Sequence, residues 1–309
     1  EVRDAIQKKN VEFDLDALLQ KDARLRELRV QIDEMRAQRN QGSKQIAKLQ
    51  GEEKQQAIVD MQTVVTKLKE FEPEYDVLEK NIAENLLYVP LPPAADVPEG
   101  KTDADNVEIR KWGEPPTFSF EAKDHVELCE KLDILDVERG VKLAGSRSYM
   151  LKNEGALLHW AVLRLALDHM LEQGFTPLTV PVLVREDFMV GTTYFPQGRE
   201  QAYAVEKDDL YLVGTAEVSL TSYYADEILS EDDLPVRLVS NSPCFRREAG
   251  TYGKDTRGIY RIHQFDKVEQ VVLCKNDPAT SAEMHTRILG NAEQVTKKLG
   301  LPHRIVEVC

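Results

Sequence analysis

Apolar residues in the first third of the chain recur at the spacing of a heptad. Leu18, Leu25, Leu28, Ile32, Met35, Ile46 and Leu49 mark one run beginning near Phe13. Met61, Val65, Leu68, Tyr75, Ile82 and Leu86 mark a second, with Gln50-Gly51-Glu52 between them as a turn. Two long helices joined by a tight turn must lie antiparallel, so the pattern predicts a coiled-coil hairpin. At 1.5 Å per residue, helices of roughly 35 residues make an arm on the order of 50 Å long. Pro73 is expected to kink the second helix or break it. VPLPPAADVPEG, Val89–Gly100, cannot continue a helix and reads as the way out of the arm. The arm is assigned residues 1–95 and a second domain residues 96–309.

Beyond the linker the pattern turns to mixed α and β. Gly155–Gly174 has helical periodicity and ends on a glycine suited to a C-cap. FTPLTVPVLV follows as a strand whose Pro177 and Pro181 belong on an edge or at an interface. Further strands are expected at Asp209–Val213, Val236–Ser240, Cys244–Glu248 and Tyr260–Leu273. Short strands with few crossovers give an α+β class, an antiparallel sheet flanked by helices behind a helical arm.

A formal charge of −14 argues against a protein that coats nucleic acid with its whole surface, but allows a local basic patch. The first helix of the arm carries one: Lys21, Arg24, Arg26, Arg29, Arg36, Arg39, Lys44 and Lys48. The second helix is mostly acidic. These charges are either solvated flanks paired across the two helices, or an edge that lies on a phosphate backbone. Arg39 stands apart because it falls at a seam position. The four cysteines are scattered and form no CxxC pair, which favours reduced thiols in the cytoplasm. The most apolar run, ALLHWAVLRLAL from Ala156, is interrupted by His159 and Arg164 and is too short to span a membrane.

The candidate chemistry lies in CFRREAGTYGKDTRGIYRIHQFDKVE, Cys244–Glu269. Alternation along a strand puts Arg261, His263, Phe265, Lys267 and Glu269 on one face, and Arg246 with Glu248 on one face of the other arm. Arginine forks match phosphate oxygens, a phenylalanine ring stacks on a base, and a carboxylate takes an ammonium. Such a face suits a nucleotide and a small zwitterion. An exposed hairpin with charges paired across strands is the plainer alternative. Against it, Phe265 sits amid the charges, and the loop Gly250–Gly258, with Tyr252, Lys254, Asp255 and Arg257, exceeds the usual hairpin length. GKDT from Gly253 is no P-loop, because Glu248 and Asp255 occupy the places of a glycine and a hydroxyl residue. His125 and Cys129 lie one helical turn apart without a third ligand, so no metal ligands are assigned.

CFRREAG…RGIYRIHQFDKVE resembles the second signature motif of class II aminoacyl-tRNA synthetases, and specifically of seryl-tRNA synthetases. The helical hairpin, SRSYMLKNEGALLHWA, GFTPLTVPVLV and LVGTAEVSL agree with that family in order, so the likeness covers nearly the whole chain. The resemblance implies serine–tRNA ligase activity with ATP and Mg²⁺, and tRNA(Ser), serine and a second copy of the chain in a homodimer as partners. It implies that Arg246 binds the α-phosphate and the substrate serine, that Glu248 meets the adenosine side of ATP, and that Arg261 reaches the terminal phosphates. Phe265 would stack on adenine and the Ile262 backbone would meet its edge. Thr215, Glu217 and Glu269 would bind serine. Pro181 and the preceding helix match the motif that forms the dimer interface. Arg24, Arg29, Arg36, Arg39 and Lys44 become candidates for tRNA contact. Two departures from the family pattern are Arg247, where a small polar residue is usual, and Thr193, where glycine is common. A strand with a metal-binding glutamate and the third motif's arginine would follow Cys309, so residues 1–309 alone are expected to activate serine poorly. The rivals are a non-catalytic relative that binds tRNA or regulates, an enzyme charging a carrier protein, and a coiled-coil scaffold. The scaffold leaves the charged hairpin unexplained, and a carrier-charging enzyme has no use for a basic arm.

Overall fold

The computed structural model describes residues 1–250 and 257–309, so Tyr252, Lys254 and Asp255 of the expected loop lie outside the described residues. The chain forms two compact units, Glu1–Ile109 with Ile305–Cys309, and Arg110–Arg304.

In the first unit a short α1 (Val2–Lys8) precedes two long helices, α2 (Leu15–Ile46) and α3 (Gly51–Leu86). Asp14 caps α2 by accepting a hydrogen bond from the Ala17 amide at 2.9 Å, satisfying one of the unpaired donors at a helix start. Leu28, Ile32, Met35 and Leu68 form the buried seam, flanked by Val64, Phe71, Tyr75 and Leu78. Burying each such side chain contributes about 1.5–3 kcal/mol, and this packing holds two helices that carry little apolar surface elsewhere. The connection is 47–50, so Gly51 and Glu52 open the second helix instead of forming the turn. The helix also continues through Pro73, and the break considered above does not occur. Phe71 and Tyr75, packed on the seam on either side, hold it together there. Near the tip, a Cβ on Gly42 would lie 2.0 Å from Met61 Cε, so glycine makes room for the methionine. Arg39, expected in the seam, is exposed. Its long stem lets the guanidinium reach water from that level.

The basic residues of α2 divide into two kinds. Arg24 grips Glu74 at 2.8 and 3.1 Å, and Arg36 grips Glu72 at 3.1 and 2.9 Å. Arg29 shares a groove with Asp33, Asp76 and Glu79. Arg39 and Lys44 make no ion pair among the described residues.

The strand β1 (Val107–Trp112) leads into the second unit. There α4 (His125–Lys131), β2 (Leu135–Asp136), α5 (Val137–Ala144) and β3 (Met150–Leu151) precede the apolar helix α6 (Glu154–Glu172). Asp136 caps α5 through the Arg139 amide at 2.9 Å. Gly174 takes φ +78° after α6, the left-handed turn expected of it. FTPLTVPVLV is not one strand. Its prolines leave only β4 (Thr176–Pro177) and β5 (Leu183–Val184) in ladders. After α7 (Glu186–Gly191) come β6 (Tyr203–Val205), β7 (Leu210–Leu212) and the short α8 (Glu217–Thr221). Strands β5, β7 and β6 make one small antiparallel sheet.

The main sheet has the order β4-β8-β9, where β8 is Val236–Phe245 and β9 is Gln264–Leu273. The two strands expected at Val236–Ser240 and Cys244–Glu248 are therefore one, ending three residues earlier. The pair β8/β9 is antiparallel over its full length, from Val236 opposite Leu273 to Phe245 opposite Gln264. Against the antiparallel expectation, β4 runs parallel to β8, pairing Thr176 with Leu238. On one face Val239 packs with Met170 and Phe175, together with Ile288 and Val295 of α9 (Pro278–Lys298). Gln270 is tied to α9 through the Ile288 carbonyl at 2.7 Å and Asn291 at 3.0 Å. On the other face Leu238 packs with Ala216 and Leu220 of the α8 region. The last strand is β10 (His303–Glu307). No helix among the described residues is long and apolar enough to cross a membrane.

Candidate active site

The face of β8/β9 that carries Leu238 continues through Ser240, Ser242 and Cys244, which stand opposite Glu269, Lys267 and Phe265. Residues directly opposite in an antiparallel pair share a face. Three side chains of the first strand are buried, so the larger groups of the second lie over a floor of small residues. Burial pushes the Cys244 thiol above its usual range, which leaves it a packing group.

Thr215 sits in the segment between β7 and α8, itself buried, and its hydroxyl donates to Glu269 Oε2 at 2.8 Å. Lys267 donates to Thr215 Oγ1 at 2.8 Å and forms an ion pair with Glu269. The Glu217 amide donates to the same hydroxyl at 3.2 Å, while the Glu217 side chain is exposed. Thr215, Lys267 and Glu269 thus form one polar cluster, joined by Glu217 through its backbone.

Arg246 follows β8 directly. Its amide donates to the His263 carbonyl at 2.9 Å, extending the ladder one step past the strand. The guanidinium lies 5.3 Å from the Phe265 ring centroid, and its Nε donates to the Gly214 carbonyl at 3.3 Å. Gly214 admits no side chain, because a Cβ there would lie 2.1 Å from Tyr194 Oη. Burial raises the Tyr194 phenol above its usual range, against the opposing pull of the nearby Arg246 charge.

Arg261 and Glu248 also meet, with Nη1 to Oε2 at 2.6 Å. Both lie outside the strands, in the connection whose described parts are 246–250 and 257–263. The expected sharing of a face by Arg261 and Phe265 therefore has no strand to act through. The resemblance assigns this pair to opposite ends of ATP, and here they hold each other. Ile262 is half-buried before β9.

Several supports gave no signal as motifs. Gln201 accepts from the Ala249 amide at 3.1 Å and donates to its carbonyl at 3.0 Å, and the Gln201 carbonyl accepts from the Arg247 amide at 2.9 Å. It fastens the backbone on both sides of Glu248, which has φ +50°. Asp124 pairs with Arg257 at 2.8 Å, and His125 Nε2 accepts from the Ile259 amide at 3.3 Å. His125 is thus a loop support, and among the described residues no group of three or more His, Cys, Asp or Glu is placed to hold a metal. Thr193 takes φ +61°, a left-handed conformation that explains why glycine is the commoner choice there.

A basic guanidinium beside an aromatic ring, next to a polar cluster over a floor of small residues, can hold an anion, a flat base and an ammonium or hydroxyl side by side. Comparison with known proteins finds relatives along nearly the whole chain. Residues 1–92 match the model of the seryl-tRNA synthetase N-terminal domain. Residues 203–309 match that of the tRNA synthetase class II core domain (G, H, P, S and T). The chain is 44% identical over 298 residues to a serine–tRNA ligase of Dictyoglomus turgidum, covering 96% of this chain and 70% of that one. It is 44% identical over 308 residues to that of Deinococcus radiodurans, covering 100% of this chain and 72% of that one. The crystal structure of seryl-tRNA synthetase from Pyrococcus horikoshii complexed with ATP superposes with a TM-score of 0.89 at 38% identity, over 100% of this chain and 74% of that one. The cytoplasmic serine–tRNA ligase of Naegleria fowleri in complex with AMP gives 0.83 at 26%, over 99% of this chain and 70% of that one. A helical arm and a charged β8/β9 face, matched over nearly the whole chain at this level of identity, place the protein in the seryl-tRNA synthetase family.

Proposed function

We propose that the protein activates serine with ATP and transfers it to tRNA(Ser). The observation that carries this reading is the Thr215–Glu269 hydrogen bond, set on the same sheet face as Phe265 and its neighbour Arg246. The serine carboxylate oxygen attacks the α-phosphorus, the bond from phosphorus to the bridging oxygen breaks, and pyrophosphate leaves. A ribose hydroxyl at the tRNA end then attacks the seryl carbonyl, and AMP leaves. Arg246 holds the α-phosphate and the serine carboxylate together and stabilises the charge developing between them. Phe265 stacks on adenine, with the Ile262 backbone at its edge. Glu248 takes the adenosine side and Arg261 the terminal phosphates, so ATP must draw their ion pair apart. Thr215, Glu217 and Glu269 form the pocket for the ammonium and hydroxyl of serine. Most of the chemistry is positioning.

Mg²⁺ enters this reading as the counter-ion of ATP. Such an ion is held mostly by phosphate oxygens and one or two carboxylates. Residues 1–95 are the tRNA-binding arm and 96–309 the aminoacylation domain, with Arg24, Arg29, Arg36, Arg39 and Lys44 along the basic edge. A homodimer built on α6 is supported by Leu157, Leu158 and Trp160, which are 60%, 63% and 63% exposed on a helix too apolar for such a surface. The cytoplasm is the proposed location, and the four cysteines are free thiols.

Charging of tRNA(Ser) with labelled serine by the product of the complete gene tests the proposal. Serine must be charged in preference to alanine, threonine and glycine, and Arg246→Ala must lower the rate by at least about 100-fold. Charging of another amino acid, or an unaffected Arg246→Ala, contradicts it.

A further inference from the structure

We infer that Lys267 is the positioning residue that sets the pocket's preference for a hydroxyl-bearing amino acid, acting through Glu269. The inference rests on the reading of this cluster as the serine site. Lys267 Nζ donates to Thr215 Oγ1 at 2.8 Å and pairs with Glu269 Oε2, the same oxygen that accepts the Thr215 hydroxyl at 2.8 Å. With the Glu217 amide at 3.2 Å, the Thr215 oxygen accepts two hydrogen bonds and its one proton is committed to Glu269. The Thr215 hydroxyl and the Lys267 ammonium both meet Glu269 at Oε2, and Oε1 takes no hydrogen bond among the described residues. Beneath the cluster, the Ser240 and Ser242 hydroxyls are buried opposite Glu269 and Lys267 without hydrogen-bond partners among the described residues.

A lone carboxylate on a half-buried strand turns freely and accepts any cation. Held by Lys267 and Thr215 on one oxygen, Glu269 offers the other in a fixed place, and its charge is already balanced. Such a pocket suits a neutral side chain with a single short donor. A hydroxyl satisfies Oε1, alanine leaves it unpaired, and an extra cationic group meets the Lys267 ammonium.

The test is calorimetric binding of L-serine and ATP, with L-alanine by competition, to the product of the complete gene. The variants are K267M, K267R, E269Q and the double variant K267M/E269Q. K267M is expected to weaken serine about 10- to 100-fold and to narrow the serine-to-alanine ratio, with ATP affinity changed less than about twofold. K267R should recover part of the loss. In the E269Q background, K267M should change serine affinity less than about threefold, because its partner is gone. Equal losses for serine and ATP, or a full K267M effect in the E269Q background, would overturn the inference. No serine binding by the unsubstituted protein would overturn the serine-site reading itself, and this inference with it.

Discussion

Arg261 Nη1 lies 2.6 Å from Glu248 Oε2, joining the two described ends of the connection between β8 and β9. The Glu248 side chain is only 12% exposed, and its backbone is fastened by Gln201 on both sides. The ion pair holds Arg261 near the site, and in the proposed reading the terminal phosphates of ATP take its place. Arg261→Ala is therefore expected to raise the KM for ATP by about 10- to 100-fold, with the KM for serine changed far less. Steady-state pyrophosphate exchange with each substrate varied in turn measures both constants. A larger change in the serine constant would remove Arg261 from the nucleotide end of the site.

The arm separates charges that look alike in sequence. Arg24 and Arg36 are spent on Glu74 and Glu72, whereas Arg39 and Lys44 have no ion pair among the described residues. Replacing Arg39 and Lys44 together by alanine should weaken tRNA binding and lower the slope of log affinity against log salt by roughly 1–2. Arg24→Ala should instead lower the thermal stability of the arm modestly, because it removes the partner of Glu74 from a partly exposed pair. Gel shifts at several salt concentrations, with thermal denaturation alongside, distinguish the two. An unchanged salt slope in the double variant would place the tRNA contact elsewhere.

The apolar start of α6 makes a prediction about assembly. Trp160→Glu in the product of the complete gene should convert a dimer to a monomer, read by sedimentation equilibrium. A dimer that persists with Glu at both Leu157 and Trp160 would move the interface off this helix.

Glu293 is largely buried on α9, and the Arg110 guanidinium at 2.7 Å, helped by Lys297, holds its carboxyl down at about 2. A glutamate in the unfolded chain titrates near about 4.3, so the folded state favours the ionised form. The resulting stability is present above the unfolded value and is lost as pH falls from there through the folded value. Denaturation of Glu293→Gln against the unsubstituted protein should show a difference that is constant above about pH 5 and shrinks toward pH 2. A difference independent of pH would mean that Glu293 acts through shape alone.

How far these features could be read in advance varied with their physics. The helical hairpin was legible because a heptad seam repeats over many turns, and Leu28, Ile32, Met35 and Leu68 are buried as the period requires. Periodicity places a turn only to within a few residues, so Gly51 and Glu52 open α3 instead, and it does not register Gly42, whose missing side chain admits Met61. In the sheet, β4 and β5 are two residues each and owe their place to neighbours, not to a pattern of their own. Continuity of β8 through Pro243 was hidden for a related reason. The parallel partner β4 covers only Leu238 and Val239, so the proline's missing donor falls where β8 has β9 alone beside it. Alternation brought Phe265, Lys267 and Glu269 to one face correctly, but it names no partners. That Lys267 closes onto Thr215 from another segment appears only once the chain is folded.

Activation of serine at this site is tested most directly by ATP–pyrophosphate exchange with serine, threonine, alanine and glycine, using the product of the complete gene. The account predicts serine-selective exchange by the complete product, abolished by Arg246→Ala. Absence of exchange with serine, while tRNA(Ser) is still bound, would contradict it and favour a relative that binds tRNA without chemistry.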